Sequence, residues 1–255
     1  MAKHIVSTLV LWAILTAIGE TLVMAPLFPT VGSKEAEDFD EIFRTLLIMG
    51  IPVFAFVISV LVIAMISFRS KTGEDVAAPS ARGGVVPKVW LAATAVLAIV
   101  VMIHPGLTGL AKLQRVRDGF GWGHGEAELV VRVTAFQWNW EIDYPEQGIV
   151  VSGAAKSMVV PDGTRVKFEV ESTDVIHSFW VPAWRMKIDA IPGRTTFVTV
   201  DIDKEGAFQD DSAYRIQCAE LCGLGHGSMA FPVEVVSKEK FEEWVASQKA
   251  AVAKR

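Results

Sequence analysis

The chain has 255 residues, 51% of them hydrophobic, with a mean hydropathy of +0.38 and a formal net charge of −5. That is too apolar for an ordinary water-soluble domain, and 29 acidic against 24 basic side chains leave no basic surplus for nucleic acid. The apolar excess is local, so different parts of the chain face different solvents.

Three runs carry it: Ile5–Phe28, Leu46–Phe68 and Val89–Ala111, of 24, 23 and 23 residues. Each is long enough to cross a hydrocarbon core of about 30 Å as a helix, so a lipid bilayer is the first partner. The second run has no charge. The first carries Glu20, and the third carries His104-Pro105, which kinks it or ends it early. We read the first run as a retained helix rather than a cleaved leader, because its apolar stretch is long and no small-x-small cleavage site follows. The segment after the second run holds Arg69, Lys71, Arg82 and Lys88 against Glu74 and Asp75. The segment before it holds Glu35, Glu37, Asp38, Asp40 and Glu41 against Lys34 and Arg44. The basic side belongs in the cytoplasm, which puts the N-terminus inside and everything after residue 111 outside. Residues 1–111 are then a membrane domain with helices near 5–28, 46–68 and 89–111.

Residues 115–255 carry 21 acidic and 16 basic side chains, and so the whole net charge. That balance permits a basic protein partner. After a Gly-rich connector, GFGWGHG at 119–125, come short segments rich in β-branched residues: ELVVRVTAFQWNWEIDY, GIVVSG, SMVVPDGTRVKFEVEST, TTFVTVDI, AYRIQC and MAFPVEVVS. Asp162-Gly163 between two such runs is a hairpin signal. Strands separated by turns, without helical patterns between them, predict a β-sandwich or barrel over 112–236. The tail at 237–255 reads as a surface helix, with Phe241, Trp244 and Val245 spaced i, i+3, i+4.

Both cysteines of the chain lie in CAELCGLGHGSM, residues 218–229, a loop between two late strands. An even cysteine count outside the cytoplasm is an ordinary sign of a disulfide. A bridge between Cys218 and Cys222 would close a very small loop, and it would leave His226 and Met229 unexplained. Two thiolates, an imidazole and a thioether form a soft set that selects copper, zinc or iron–sulfur, and the thioether favours copper. A one-copper blue site needs two histidines and one cysteine; here there is one cysteine too many and one histidine too few. His177, in DVIHSFWVPAW, is the candidate second imidazole. His4, His104 and His124 lie in or beside the membrane segments and read as terminal or interfacial polar residues. Two cysteines, two histidines and one methionine can hold two copper ions, with both thiolates bridging and a backbone carbonyl completing the set.

The loop resembles the C-x-E-x-C-x3-H-x2-M dicopper loop of cytochrome c oxidase subunit II. VIHSFWVPAWRMKIDAIPGR (175–194) is similar to that family's segment with the first histidine ligand, and FQWNWEIDYP (136–145) to its aromatic segment. The resemblance implies a cupredoxin-like Greek-key sandwich outside a bacterial-type plasma membrane or an equivalent energy-transducing membrane. It implies that Cys218 and Cys222 bridge two coppers, that His177 and His226 bind one each, and that Met229 and the carbonyl of Glu220 are weak ligands. It further implies that the Glu220 carboxylate reaches a magnesium or manganese ion shared with a heme-containing catalytic subunit. Trp138 would receive electrons from cytochrome c or another small donor, and Trp140 would be packing. Lys187, Asp189 and Arg194 would face the catalytic subunit, where oxygen is reduced and protons are translocated. Two departures stand out: a third helix, and Val85, Pro87 and Lys88 where many members place a proton-path glutamate. Two rival functions share the loop chemistry, a membrane-tethered copper-delivery protein and an electron-transfer subunit of a nitrogen-oxide reductase.

Overall fold

The computed structural model describes residues 2–26, 28–68, 84–111, 127–153 and 156–253. The Gly-rich connector at 119–125, His124 and the basic segment at 69–83 lie outside the described residues. The chain falls into two compact units, Met1–Leu27 with Glu41–Ala111, and Phe28–Asp40 with Lys112–Arg255.

The first unit is helical. Helices α1 (Ala2–Val23), α2 (Lys34–Ser67) and α3 (Val85–Val101) account for three spans long and apolar enough to cross a membrane, the third running from Pro87 to Ala111. Their bounds differ from the apolar runs for local reasons. α1 ends at Val23 because Pro26 lies just beyond and cannot continue a helix. α2 starts well before its apolar run: the Ser33 hydroxyl caps it by accepting the Ala36 N–H at 3.2 Å, and Glu35 and Glu37 sit in its first turn. The acidic segment read as a connection is therefore largely helix. α3 begins four residues before its apolar run and is followed by a kink at His104, whose backbone is non-helical at φ −138° and ψ 117°, just before Pro105. α1 packs on α2 through specific contacts. The Trp12 indole donates to the Pro52 carbonyl at 2.8 Å, and Arg44 donates to the Val23 carbonyl at 2.6 Å. Gly19 lies where a Cβ would meet Ile51 at 2.6 Å.

The second unit is a β-sandwich. One sheet has the order β3-β2-β1-β5-β8, from Ile149–Ser152, Asn139–Tyr144, Leu129–Phe136, Thr164–Ser172 and Thr196–Ile202. The other has the order β4-β11-β10-β6-β7, from Met158–Pro161, Ala230–Val236, Arg215–Cys218, His177–Trp180 and Lys187–Ala190; β9 (Gly206–Ala207) pairs with β11. β1 pairs with β5 in parallel and β4 with β11 in parallel; the other pairs are antiparallel. Strict alternation along β5 buries Val166, Phe168 and Val170 and leaves Arg165, Lys167 and Glu169 toward solvent. Asp162-Gly163 does turn the chain, with Gly163 at φ 57°, but it is not a hairpin. β4 and β5 belong to different sheets, so this turn crosses the sandwich. The hairpin lies instead inside the run that reads as one strand: Gln137-Trp138 joins β1 to β2.

Between the sheets, Phe168 packs on Phe179 at 5.1 Å and stacks on Trp184 at 5.4 Å between ring centroids. The fully buried Tyr144 donates to the Val159 carbonyl at 2.8 Å and accepts the Val159 N–H at 2.9 Å, tying β2 to β4. Helix α4 (Lys238–Ala253) covers this end, with Phe241, Trp244 and Val245 on the core and Trp244 against Tyr144.

Candidate metal centre

The ligand loop leaves β10 at Cys218 and enters β11 at Ala230. Its two ends are tied together, since the Cys218 N–H donates to the Met229 carbonyl at 3.1 Å. The Ala219 N–H donates to the Ser178 carbonyl, which anchors the loop to β6. Gly223, at φ 110°, makes the turn that a side chain would strain. His177 opens β6, and the pairing of β6 with β10 sets Phe179 opposite Cys218, so the imidazole reaches the loop from the neighbouring strand.

The two thiols are free and stand 3.6 Å apart. Each has its own imidazole: His177 Nδ1 is 3.8 Å from Cys218 Sγ, and His226 Nδ1 is 3.7 Å from Cys222 Sγ. Met229 Sδ lies 3.8 Å from Cys222 Sγ, and the Glu220 carbonyl accepts from the Cys218 thiol at 3.1 Å. The structure thus gathers all six residues of the ligand set, with His177, Cys218 and Cys222 mutually within 4.8 Å. His177, Cys218, Cys222 and Met229 are buried, and His226 is half-buried. Glu220 is exposed. Leu221 and Leu224 beside it are exposed.

The donor set fits copper. Burial, with the Cys218 thiol beside it, pushes the Cys222 thiol up to about 11, so a metal must displace the Cys222 proton to enter. His177 Nε2 is 2.8 Å from Asp174 Oδ1. A proton on Nε2 donated to that carboxylate leaves the Nδ1 lone pair facing the sulfurs, as metal-ligating histidines require. Burial works to raise the Asp174 carboxyl, but hydrogen bonds from His177 and from the N–H groups of Gln137 and Val175 hold it below the usual range.

Trp138 sits on the outer side of the loop, 41% exposed, and its indole N–H donates to the Cys222 carbonyl at 3.0 Å. The Gln137 amide donates to the same carbonyl at 2.9 Å. Trp140 is fully buried in the core, as packing requires. Asp189 accepts from the Ser178 hydroxyl at 2.8 Å, while Lys187 and Arg194 are exposed. His4 packs on Phe68 and His104 bonds Thr108, both outside the cluster. Sequence reasoning missed Gln137 and Asp174. A carboxylate three residues before a ligand histidine was the available signal for Asp174; nothing marked Gln137 before the hairpin was known.

The sequence model of the periplasmic domain of cytochrome C oxidase subunit II matches residues 146–236. A probable cytochrome c oxidase subunit 2 of Rickettsia bellii is 28% identical, over 89% of this chain and 85% of that one. The cytochrome c oxidase subunit 2 of Thermostichus vulcanus is 30% identical, over 86% of this chain and 77% of that one. The solved periplasmic domain of cytochrome oxidase subunit II of Bradyrhizobium japonicum is 32% identical and covers 50% of this chain and 97% of its own, with a TM-score of 0.44. A likeness of 30% identity over 77% of that subunit's length, together with a cluster of the soft donors that suit copper, places this chain in the cytochrome c oxidase subunit 2 family, as a subunit of a heme–copper oxidase.

Proposed function

We propose that electrons from a soluble donor enter the oxidase through this chain, at a dinuclear copper centre in the loop. One observation carries the reading: two thiols 3.6 Å apart, each with its own imidazole nitrogen at 3.8 and 3.7 Å. Cys218 and Cys222 would bridge two coppers, and His177 and His226 would hold one each. Met229 and the Glu220 carbonyl would be the weak ligands. The copper pair, when bound, supplies a one-electron relay whose charge is spread over both metals.

The chain's own residues do the rest. β10 and β11, paired in one sheet, fix both ends of the loop, so the ligands would hold their places through a change of charge, which keeps reorganisation small. Buried ligands exclude water on the inner side. Trp138 offers an exposed ring to a donor such as cytochrome c and a hydrogen bond to the ligand loop behind it. The acidic outer unit favours a basic donor. The exposed Glu220 carboxylate is free to reach a magnesium or manganese ion at the catalytic subunit. The reading places the chain in a plasma membrane with its N-terminus cytoplasmic and the β-sandwich outside, in a complex that translocates protons.

Copper reconstitution of the purified chain tests this. The unaltered chain should show the purple, mixed-valence dicopper spectrum, and His226→Ala should abolish it while the β-sandwich stays folded by circular dichroism. A colourless or single-copper product would instead support copper delivery, and co-purification with a nitrogen-oxide-reducing subunit would defeat the oxidase role.

A further inference from the structure

The segment Phe28–Asp40 belongs to the same compact unit as the β-strands, and it is held there by polar contacts. The Gly32 N–H donates to the Ala183 carbonyl at 2.9 Å, and the Ser33 hydroxyl donates to the Trp184 carbonyl at 3.3 Å. Ser33 pairs with Ile202 of β8, and the Glu35 carboxylate accepts the Asp201 N–H at 3.1 and 3.2 Å. The Thr30 hydroxyl donates to Asp211. At Gly32 a Cβ would stand 3.0 Å from the Tyr214 hydroxyl oxygen and 3.3 Å from the Ala183 Cβ, so the approach is close.

Arg185 locks this segment. Among the described residues it is the one non-glycine with positive φ, at 57°. A side chain persists in that region where its surroundings over-determine it. The guanidinium is 7% exposed and Nε and Nη2 donate to the two oxygens of Asp40 at 2.9 Å each. Its remaining bonds go to the carbonyls of Pro29 at 2.6 Å, Thr30 at 3.2 Å and Pro182 at 2.5 Å. A rigid five-donor fork suits this arrangement, and a lysine ammonium would not.

Arg185 occupies the turn between β6 and β7. That hairpin sets His177 opposite Ala190 and Ser178 opposite Asp189. β7 is a four-residue strand at the sheet edge; among the described residues its ladder partner is β6, and the Thr196 hydroxyl also donates to its Asp189 carbonyl at 2.6 Å. One strand of the hairpin therefore bears a copper ligand, and the other bears Lys187 and Asp189, which would face the catalytic subunit. This step rests on the function proposed above.

We propose that Arg185, through its paired bonds to Asp40, is a positioning residue that fixes the β6–β7 hairpin for electron delivery to the catalytic subunit. Uptake at Trp138 does not depend on it. The test uses the assembled oxidase carrying Asp40→Asn, Arg185→Gly or Asp40→Glu. Glycine suits the φ of 57°, so Arg185→Gly removes the guanidinium without straining the turn. Breaking the pair should lower hydrogen-exchange protection of Gly32 and the β7 amides about a hundredfold, with β1 unchanged. The dicopper spectrum and the rate of reduction by the donor should not change. Onward transfer to heme should slow about tenfold, because small misplacements at a distance are costly. Asp40→Glu should restore most of it. Unchanged onward transfer in both disruptive variants would overturn the proposal, as would equal slowing of uptake and delivery. Failure of the copper reading shows separately, as a missing dicopper spectrum in the unaltered oxidase.

Discussion

Gly225 tests whether Trp138 is part of the metal loop or a neighbour of it. A Cβ at residue 225 would lie 2.5 Å from Trp138 Cγ and Cδ2 and 3.0 Å from its Cβ. Carbon atoms pack at about 3.5–4.0 Å, so the indole must retreat by about 1 Å. The Trp138 N–H now sits 3.0 Å from the Cys222 carbonyl, and a shift of that size takes it out of hydrogen-bond range. Overpacking costs about 1–3 kcal/mol and the lost bond about 1 kcal/mol. Backbone strain adds nothing, because Gly225 has φ −89°. Gly227 is the control, two residues on in the same loop, where a Cβ meets nothing within 4 Å. In the copper-loaded chain, Gly225→Ala should lower unfolding stability by about 2 kcal/mol and slow reduction by cytochrome c, while Gly227→Ala changes neither. Stopped-flow reduction and urea unfolding read both effects. If Gly225→Ala behaves like Gly227→Ala, the indole is not seated on the loop and its role in electron uptake loses its structural basis.

Trp138→Phe keeps a ring but deletes the bond to Cys222, and should slow stopped-flow reduction without altering the copper spectrum. Tyr144→Phe strands the Val159 N–H and carbonyl, and should cost about 2 kcal/mol in urea unfolding of the β-sandwich. Phe168→Ala empties the space between Phe179 and Trp184, and should cost about 3–5 kcal/mol by the same measurement. A hydrogen bond from Lys167 at 2.9 Å, against some burial and with help from Arg132, holds the Glu169 carboxyl below its usual range. Its folded pKa is thus below its unfolded one, so its stabilisation is present at neutral pH and lost as pH falls through the folded value. Glu169→Gln should therefore lower stability by about 0.5 kcal/mol at neutral pH and by nothing in acid, in urea titrations across pH.

The parts of the fold visible in the sequence are those written in local pattern. Three long apolar runs give three helices, and Phe241, Trp244 and Val245 give the amphipathic tail. Pairing was not visible. Asp162-Gly163 has the composition of a hairpin turn, yet the strands on either side join different sheets, because turn chemistry fixes the local bend and not the partner. The reverse happened at Gln137-Trp138, where alternation continues through a two-residue turn and hides a hairpin. The start of α2 was missed because charges look like a connection, although Ser33 followed by Glu35 and Glu37 is a helix start once the cap is considered.

The metal loop shows where such reading ends. Five of the six clustered residues lie between 218 and 229, so spacing alone could group them. His177 is 41 residues from Cys218 and reaches it only through the register of β6 on β10. That register is held by the residue two positions after the ligand. Phe179 is 1% exposed, packed between Phe168 and Trp140 and set opposite Cys218. In a strand, residues two apart share a face, so burying Phe179 commits the imidazole to the same side. A slip of one residue would take the ring from between Phe168 and Trp140, put the Ser178 hydroxyl there in its place, and separate Ser178 from Asp189, costing about 2–3 kcal/mol. The aromatic core therefore orients the His177 imidazole toward the thiols with no metal needed. Asp174 then needs only one hydrogen bond to choose which nitrogen of His177 faces the sulfurs.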